Sequence, residues 1–439
     1  MSDVLLALGD FASSLEWSRT PQEQQSAIDR GIRASLLCGL FGVERERALW
    51  PYPAHAPDPD LQPLNTTQLL GGMFLPLDGV GLLCTLAGAA DLDPMDPGPS
   101  HTVLPATMAA CAARRASGTK GCTSADDANI AVGVLAGVEV GWRLRRAILG
   151  ARPGLGFHSP GVFGTVAAAA AAARTLDLSA AQSANAVAIA LTRAAGLALN
   201  SAASAIGMTH FGWGAFHGLE AALLAAHDWP ASHDAQRALE TLFGEGKVDT
   251  SRIAGDGAEA PAATSLVFKY YPCNIYTNLI AKMLRETGGG PLDRVRIHMP
   301  WIPHLDCGAP KDLRQARNSA QAVAAIAAAG DTSYAAFSGS PSPWRPAERV
   351  QTMLSRIELD MDRDLPTRLS ETAITLCAWR GGQQVLEAKG SMRDLAPWGR
   401  EHAQELMGAD DPTGGIAALY DEPYLHGFKH LKTRWLALS

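Results

Sequence analysis

The chain is poor in charged residues, and it lacks the features that mark several common classes of protein. Only 18% of its 439 residues are charged, and 37 basic against 44 acidic residues give a formal net charge of −7. With this net negative charge and no segment rich in lysine and arginine, the sequence does not predict a basic surface that would bind nucleic acid. The hydrophobic fraction of 47% is too high for a disordered chain. We therefore exclude a general polyanion binder, whereas a local basic pocket for a small acid remains open.

Long apolar runs are also missing. The run Phe163–Ala173 is short and mostly alanine, well below the roughly 20 strongly apolar residues that span a bilayer. The first ten residues carry Asp3 and Asp10 and no basic residue, so they do not resemble a signal peptide. We expect no membrane partner and a cytoplasmic location.

Cysteine is scarce and irregularly placed. The seven cysteines are an odd number, are widely spaced and include no C-x-x-C pair. This pattern favours neither a disulfide framework nor a zinc knuckle, and it suits a reducing compartment. The histidines are dispersed as well, so we expect activity without a metal ion.

Alanine-rich helical patterns dominate the first part of the chain. Thr20-Pro21-Gln22-Glu23 predicts a helix start, with Thr20 as the cap and Glu23 closing a capping box. Ser124-Ala-Asp-Asp127 predicts another start, before a helix over Ile130–Ile148. Glycine recurs every four residues in that helix, at 133, 137 and 141, which favours close approach of a second helix. Further helices are expected over residues 161–176, 179–199 and 212–226.

The pattern changes after Gly288-Gly289-Gly290, which we interpret as a hinge or tight loop. Alternating polar and apolar residues predict strands over residues 295–299, 356–360, 371–379 and 384–390. Gly381-Gly382 is a hairpin signal between the last two, and a helix fits residues 312–329. We therefore expect a helical domain over residues 1–285 and 397–439, with a small α/β domain over residues 286–396.

Several segments, in order and spacing across most of the chain, together resemble the MmgE/PrpD family. That family includes 2-methylcitrate dehydratase, cis-aconitate decarboxylase and iminodisuccinate epimerase. The matching stretches are Asp91-Leu-Asp93, Ser100-His-Thr-Val-Leu-Pro-Ala106, Ala136-Gly-Val-Glu-Val-Gly-Trp-Arg143, Gly156-Phe-His-Ser-Pro-Gly-Val-Phe-Gly164, His210-Phe-Gly-Trp-Gly-Ala-Phe-His-Gly218, Lys269-Tyr-Tyr-Pro-Cys273 and Gln315-Ala-Arg-Asn-Ser319.

The resemblance implies a mainly α fold, with a large all-helical domain and a smaller α/β lid. It also implies a homodimer, catalysis without metal or cofactor, and a small carboxylic acid as substrate. The implied pocket lies between the helical domain and the lid. It is lined by Asp91, His101, His158, His210 and Lys269.

The family's reactions turn on the proton next to a carboxylate. Its removal needs a base and a positive partner for the enolate that develops, and histidine suits the base because its ordinary pKa lies near neutrality. We expect His101 or His158 to transfer the proton, Asp91 to orient an imidazole, and Lys269 to bind a carboxylate. Taken locally, Asp91 also suits a simple turn and His210 a structural role.

Four positions depart from the pattern of the cis-aconitate decarboxylases in the family. Those enzymes carry threonine, lysine, histidine and tyrosine where this chain has, in that order, Met95, Gly207, Asn274 and Ala322. A pocket with these changes has lost a cation and two hydrogen-bonding groups, so it would hold a tricarboxylate poorly. A smaller, less charged or more apolar substrate fits such a pocket, as does a member that has lost activity.

Three functions remain open at this point. The leading one is a cofactor-independent lyase that dehydrates or decarboxylates a small polycarboxylate or related acid. The second is an epimerase or isomerase of a small dicarboxylate, which needs acid and base groups on both faces of the carbon. The third is a non-enzymatic dimer that keeps the fold.

Overall fold

A computed structural model gives the fold. It describes residues 4–46, 77–94, 103–104, 107, 110, 124–149, 156–200, 206–254, 261–288, 291–330, 334–337, 343–367, 369, 371–395, 399–407 and 415–437. By internal contacts the chain divides into two compact units, the first over residues 1–201, 205–266 and 417–439, and the second over residues 202–204 and 267–416. The domain limits at residues 285 and 397 stay a prediction.

The described part of the first unit is helical. Its longer helices are α1 (Val4–Ser14), α2 (Gln22–Phe41), α3 (Leu77–Ala89), α4 (Ser124–Arg146), α5 (Ser159–Thr175), α6 (Ala180–Leu191), α7 (Ile206–Ala226) and α8 (Ala235–Phe243), followed by the short α9 (Ser251–Ala254). None of the described helices is long and apolar enough to cross a membrane.

Helix α5 lies at the centre of this unit and packs against α1, α4, α6 and α7. Its residues 160–173 are all buried, and most of them are alanine, glycine or valine. The glycines of α4 allow the close approach that their spacing predicts. A Cβ atom built on Gly137 would lie 2.6 Å from the carbonyl oxygen of Ala167 in α5. The two backbones are therefore nearly in contact, which fixes the position of α5 and of the loop before it.

The second unit holds the described strands. After helix α10 (Ile275–Arg285) come β1 (Arg294–Pro300), α11 (Leu313–Arg317), α12 (Ala320–Ala328), α13 (Glu348–Leu354), β2 (Ile357–Asp362), β3 (Ala373–Arg380), β4 (Gln383–Ser391) and α14 (Arg400–Met407). The chain ends in α15 (Gly415–Tyr420) and α16 (Tyr424–Ala437), of which α16 belongs to the first unit.

The four strands form one sheet in the order β2-β1-β3-β4. Strands β1 and β2 are parallel, and the other neighbours are antiparallel. The hairpin between β3 and β4 turns at Gly381 and Gly382, whose φ angles of 59° and 76° suit glycine in a two-residue turn. Helices α10 and α12 pack against the sheet. This arrangement confirms the mainly α fold class with a small α/β part.

Three local predictions need correction. Thr20 does not cap α2, because its hydroxyl donates to the carbonyl oxygen of Glu16 (3.0 Å) and Pro21 takes the cap position. The helix expected over residues 179–199 ends at Leu191. The helix expected over residues 312–329 is broken in two, because Ser319 caps α12 and its hydroxyl also donates to the carbonyl oxygen of Cys307 (2.7 Å).

Candidate active site

His158 stands at the start of the central helix. It is the N-terminal cap residue of α5, its backbone is extended, and its side chain makes no capping hydrogen bond. Pro160 follows in the first turn, where a missing N–H costs nothing. The imidazole does not cap α5, and it contacts His210 and Phe211 instead.

A short antiparallel contact fixes the backbone around His158. The N–H of His158 donates to the carbonyl oxygen of Gly196 (2.8 Å), and the N–H of Ala198 donates to the carbonyl oxygen of Gly156 (2.9 Å). Gly196 has a φ of 114°, which favours glycine. A Cβ atom on Gly196 would lie 3.1 Å from the ring of His210. The loop after α6 thus packs directly against a second histidine.

The two histidines are joined by a hydrogen bond. The Nδ1 atoms of His158 and His210 lie 3.1 Å apart, and both side chains are half-buried. One Nδ1 must carry a proton and the other must accept it. In the neutral pair, one ring therefore has an unprotonated Nε2, the form of a base, and the other has an Nε2–H, which can donate a hydrogen bond.

Phe211 connects this pair to α3. Its ring packs edge-on against His158, with the ring centres 5.4 Å apart. The same ring closes over Gly88 in α3, where a Cβ atom would clash with it. Three residues further on, Asp91 follows the end of α3 with a φ of 55° and an N–H that donates to the carbonyl oxygen of Gly88 (3.2 Å). Asp91 therefore lies one turn after Gly88, the residue of α3 that the ring of Phe211 covers.

The segment that carries Lys269 is buried in the second unit. Only 4% of Lys269 is exposed, and lysine is rarely buried without a partner or a function. The next residues are held by Asn278, whose side-chain oxygen accepts the N–H groups of Tyr270 (2.6 Å) and Tyr271 (2.8 Å).

Two further predicted pocket positions belong to the internal framework of this unit. Asn274 caps α10 by accepting the N–H of Tyr276 (3.1 Å), and its amide nitrogen donates to Asn318 (3.1 Å). Ala322 is fully buried in α12, and its N–H donates to the hydroxyl of Ser319 (2.9 Å).

The remaining predicted residues divide into two groups. Gly207 is buried in the first turn of α7, one turn before His210. His101 and Met95 lie outside the described residues. The roles assigned to all of these positions stay predictions. No group of three or more metal-ligating side chains converges among the residues that the structure describes.

Comparison with known proteins identifies the family. The model of the MmgE/PrpD N-terminal domain matches residues 7–244, which is more than half of the chain. The chain belongs to the MmgE/PrpD family. Human cis-aconitate decarboxylase is 29% identical over 224 residues, which cover 47% of this chain and 46% of that enzyme. The match thus spans about half the length of that relative.

Sequence reasoning missed two residues that shape the candidate active site. Gly196 and Phe211 both contact the histidine pair, but neither was singled out. Phe211 directly follows His210 in a quoted family stretch, which was a usable signal. Gly196 lies in an alanine-rich run with no local mark of its role. Asp93, which ends the quoted Asp91-Leu-Asp93 stretch, is buried with 3% exposure and was assigned no role.

Proposed function

We propose that this protein is a lyase that acts at the carbon alpha to a carboxylate of a small organic acid, with loss of water or CO2. The pairing of His158 with His210 through their Nδ1 atoms carries this proposal, because it leaves one of the two rings with an unprotonated Nε2 that can act as a base. Membership of the MmgE/PrpD family and the similarity to cis-aconitate decarboxylase support the same class of reaction.

In a dehydration, one imidazole removes the proton alpha to the carboxylate. The electron pair of the broken C–H bond forms the double bond, and the hydroxyl leaves with a proton from an acid. In a decarboxylation, the electron pair of the broken C–C bond is captured by a proton from the acid. The dehydration uses an unprotonated imidazole nitrogen as the base, and both reactions use a protonated imidazole as the acid. The N-terminus of α5, which begins next to His158, favours an anionic ligand.

Three assignments that rest on family resemblance complete the proposal. His101 is the alternative proton-transfer group, Asp91 orients an imidazole, and Lys269 binds a carboxylate of the substrate. The assembly is proposed to be a homodimer, and light scattering at micromolar concentration tests it. A monomer at that concentration contradicts the dimer.

The deciding experiment is incubation with candidate small acids in deuterated buffer, followed by NMR. This measurement reports proton exchange, water loss and CO2 loss on the same sample. We expect loss of water or CO2 from at least one acid, and a rate reduced about 10²- to 10⁴-fold in His158→Ala. Proton exchange with inversion and no loss would make the protein an epimerase. No turnover with any acid would favour a fold-keeping, non-enzymatic protein.

A pair of variants at residue 210 separates two roles for that histidine. In His210→Asn the side-chain amide occupies the place of Nδ1 and keeps a hydrogen bond to His158, but it has no titrating Nε2. His210→Leu removes both. If His210 positions His158, the asparagine variant retains most of the kcat that the leucine variant loses. If His210 is the acid, both variants lose kcat alike.

Lys269→Met tests the carboxylate-binding role while keeping the volume and shape of the buried side chain. The expected result is a raised KM with the fold intact, because removing a charged partner of the substrate acts on binding. Lys311→Ala, at an exposed lysine of the same unit, is the matched control. An unchanged KM in Lys269→Met would remove Lys269 from the proposal.

A further inference from the structure

A concave site lies in the first unit, built from residues that none of the assignments above uses. It is a cavity of about 380 Å³, in the size range of small-molecule pockets. It forms where the end of α1 and the start of α2 meet the second half of α4. Its main side chains are Phe11, Glu139, Trp142, Arg143 and Arg146.

The cavity is lined by more basic than acidic side chains. Its lining includes three guanidinium groups, of Arg19, Arg143 and Arg146, and two carboxylates, of Glu16 and Glu139, which leaves one net positive charge. Arg19 and Glu16 form an exposed ion pair at 3.2 Å. Glu139 is 8% exposed, and its carboxylate accepts the N–H of Ala263 (3.3 Å). Burial raises the pKa of this carboxyl, whereas the Ala263 N–H and the nearby charges of Arg143 and Arg146 act in the opposite direction.

Arg143 packs against an aromatic ring and lies within the electrostatic reach of Glu139. Its guanidinium lies over the ring of Phe11, 3.7 Å from the ring centre. Stacking of this kind uses the flat face of the guanidinium, whereas the N–H groups that recognise a carboxylate point outward in its plane. Arg146 is fixed beside it, because its NH2 group donates to the carbonyl oxygen of Arg252 (2.8 Å).

The apolar side of the cavity complements this charge. Phe11 and Trp142 present aromatic surface, and Leu15 and Leu135 complete an apolar wall. A ligand that fits both sides has one carboxylate and a small hydrophobic body. We propose that this cavity is a binding site for a small monocarboxylic acid with an apolar or aromatic body, separate from the histidine pair.

Calorimetric titration of the full chain tests the proposal with three probes. Benzoate carries both features, benzyl alcohol has the ring without the charge, and inorganic phosphate has charge without the ring. We expect saturable binding of benzoate with one site per chain and at least ten-fold weaker binding of the other two. Equal binding of phosphate and benzoate, or none of benzoate, would overturn the proposal.

Variants locate the site. Arg143→Gln removes the guanidinium and should weaken benzoate binding at least ten-fold. Ser14→Phe places a bulky ring at an exposed position on the rim and should do the same, without touching the buried charges. Arg294→Gln, at an exposed arginine of β1, is the matched control and should bind benzoate normally.

His158→Ala distinguishes this proposal from the proposed function. Benzoate binding that survives in His158→Ala and is lost in Ser14→Phe supports a separate site, whatever reaction the enzyme catalyses. Binding that is lost in His158→Ala and kept in Ser14→Phe would assign benzoate to the candidate active site and refute the second site.

Discussion

The rings of His158 and His210 meet Nδ1 to Nδ1 at 3.1 Å, although 52 residues separate them along the chain. At this distance the two nitrogens share one proton, because protonating both rings would bring two positive charges together. A pH–rate profile of the proposed reaction reports the pair, and the His210→Asn variant should change its shape.

Gly196 provides a first test of how tightly this pair is held. Gly196→Ala places a Cβ atom 3.1 Å from the ring of His210 and strains a backbone with a φ of 114°. Positive φ alone costs a residue with a Cβ about 1–2 kcal/mol. We expect a comparable loss of stability together with a clear fall in kcat.

Gly244→Ala is the control for Gly196→Ala. Gly244 has a φ of 101°, but a Cβ there would meet only Lys247, at an ordinary 3.7 Å. It should lose stability and keep kcat. If both variants keep full kcat in the same assay, the position of His210 does not matter for catalysis.

A second prediction concerns the contact between α4 and α5. Gly137→Ala would place a methyl group 2.6 Å from the backbone oxygen of Ala167, and neither helix backbone can yield easily. We expect a loss of about 1–3 kcal/mol, as for other overpacked cores. Gly81→Ala in α3 is the control, since its new methyl would meet backbone at 3.5 Å. That control should be neutral, or gain up to about 1 kcal/mol from helix propensity. Thermal unfolding of the two variants side by side measures the difference, and equal midpoints would contradict it.

A third prediction follows from the half-buried His402. Its Nε2 lies 2.8 Å from the carbonyl oxygen of Tyr270, and burial lowers the pKa of its ring below the ordinary 6.5. Below pH 6.5 the unfolded chain therefore binds a proton at His402 that the folded chain does not bind. The free energy of unfolding decreases as the pH is lowered, until the pH falls below the pKa of His402 in the folded protein. This one proton contributes at most about 1.4 kcal/mol per pH unit.

His402→Gln keeps a donor for Tyr270 and removes the titration. Its unfolding midpoint should therefore fall less than that of the unmodified chain between pH 7 and pH 5. His426→Gln, at an exposed histidine beside Glu422, is the control and should behave as the unmodified chain does. Parallel curves for all three proteins would show that His402 does not resist protonation.

A fourth prediction concerns cysteine reactivity. Cys84 is fully buried, and burial raises the pKa of its thiol, so it is a poor nucleophile in the folded protein. Cys38 and Cys273 are fully buried as well, whereas Cys307 and Cys377 are partly exposed. Iodoacetamide followed by mass spectrometry should modify the last two first. Early modification of Cys84 without unfolding would contradict its burial. Cys111 and Cys122 lie outside the described residues.

The sequence predicted best where one local signal decides the structure. Alternation of side chains and the Gly381-Gly382 pair placed β3 and β4 within two residues, because the period and the turn are both local. The break between α11 and α12 was missed. It depends on the hydrogen bond from Ser319 to Cys307, twelve residues away, which no periodicity records.

The candidate site was likewise predicted only in part, because its geometry depends on contacts between residues that are distant in the sequence. His158 and His210 were both named, but as members of a larger pocket and without their contact. Their pairing depends on the loop at Gly196 folding back on the start of α5, and on Phe211 filling the space behind His158. Both are tertiary contacts of small or apolar residues, and the presence of a glycine or a phenylalanine in a sequence does not by itself indicate a catalytic site.

The seven consecutive alanines of α5, Ala167–Ala173, have a consequence for how this protein tolerates change. Each is fully buried, so α5 itself contributes no side chain larger than a methyl group to the contacts at these positions. An alanine scan would leave these seven positions unchanged. Apart from glycine, every substitution at these positions adds volume to a space already closed by neighbouring backbone. Mutational sensitivity along α5 should thus rise with the size of the incoming side chain, the reverse of a core built from leucine and phenylalanine.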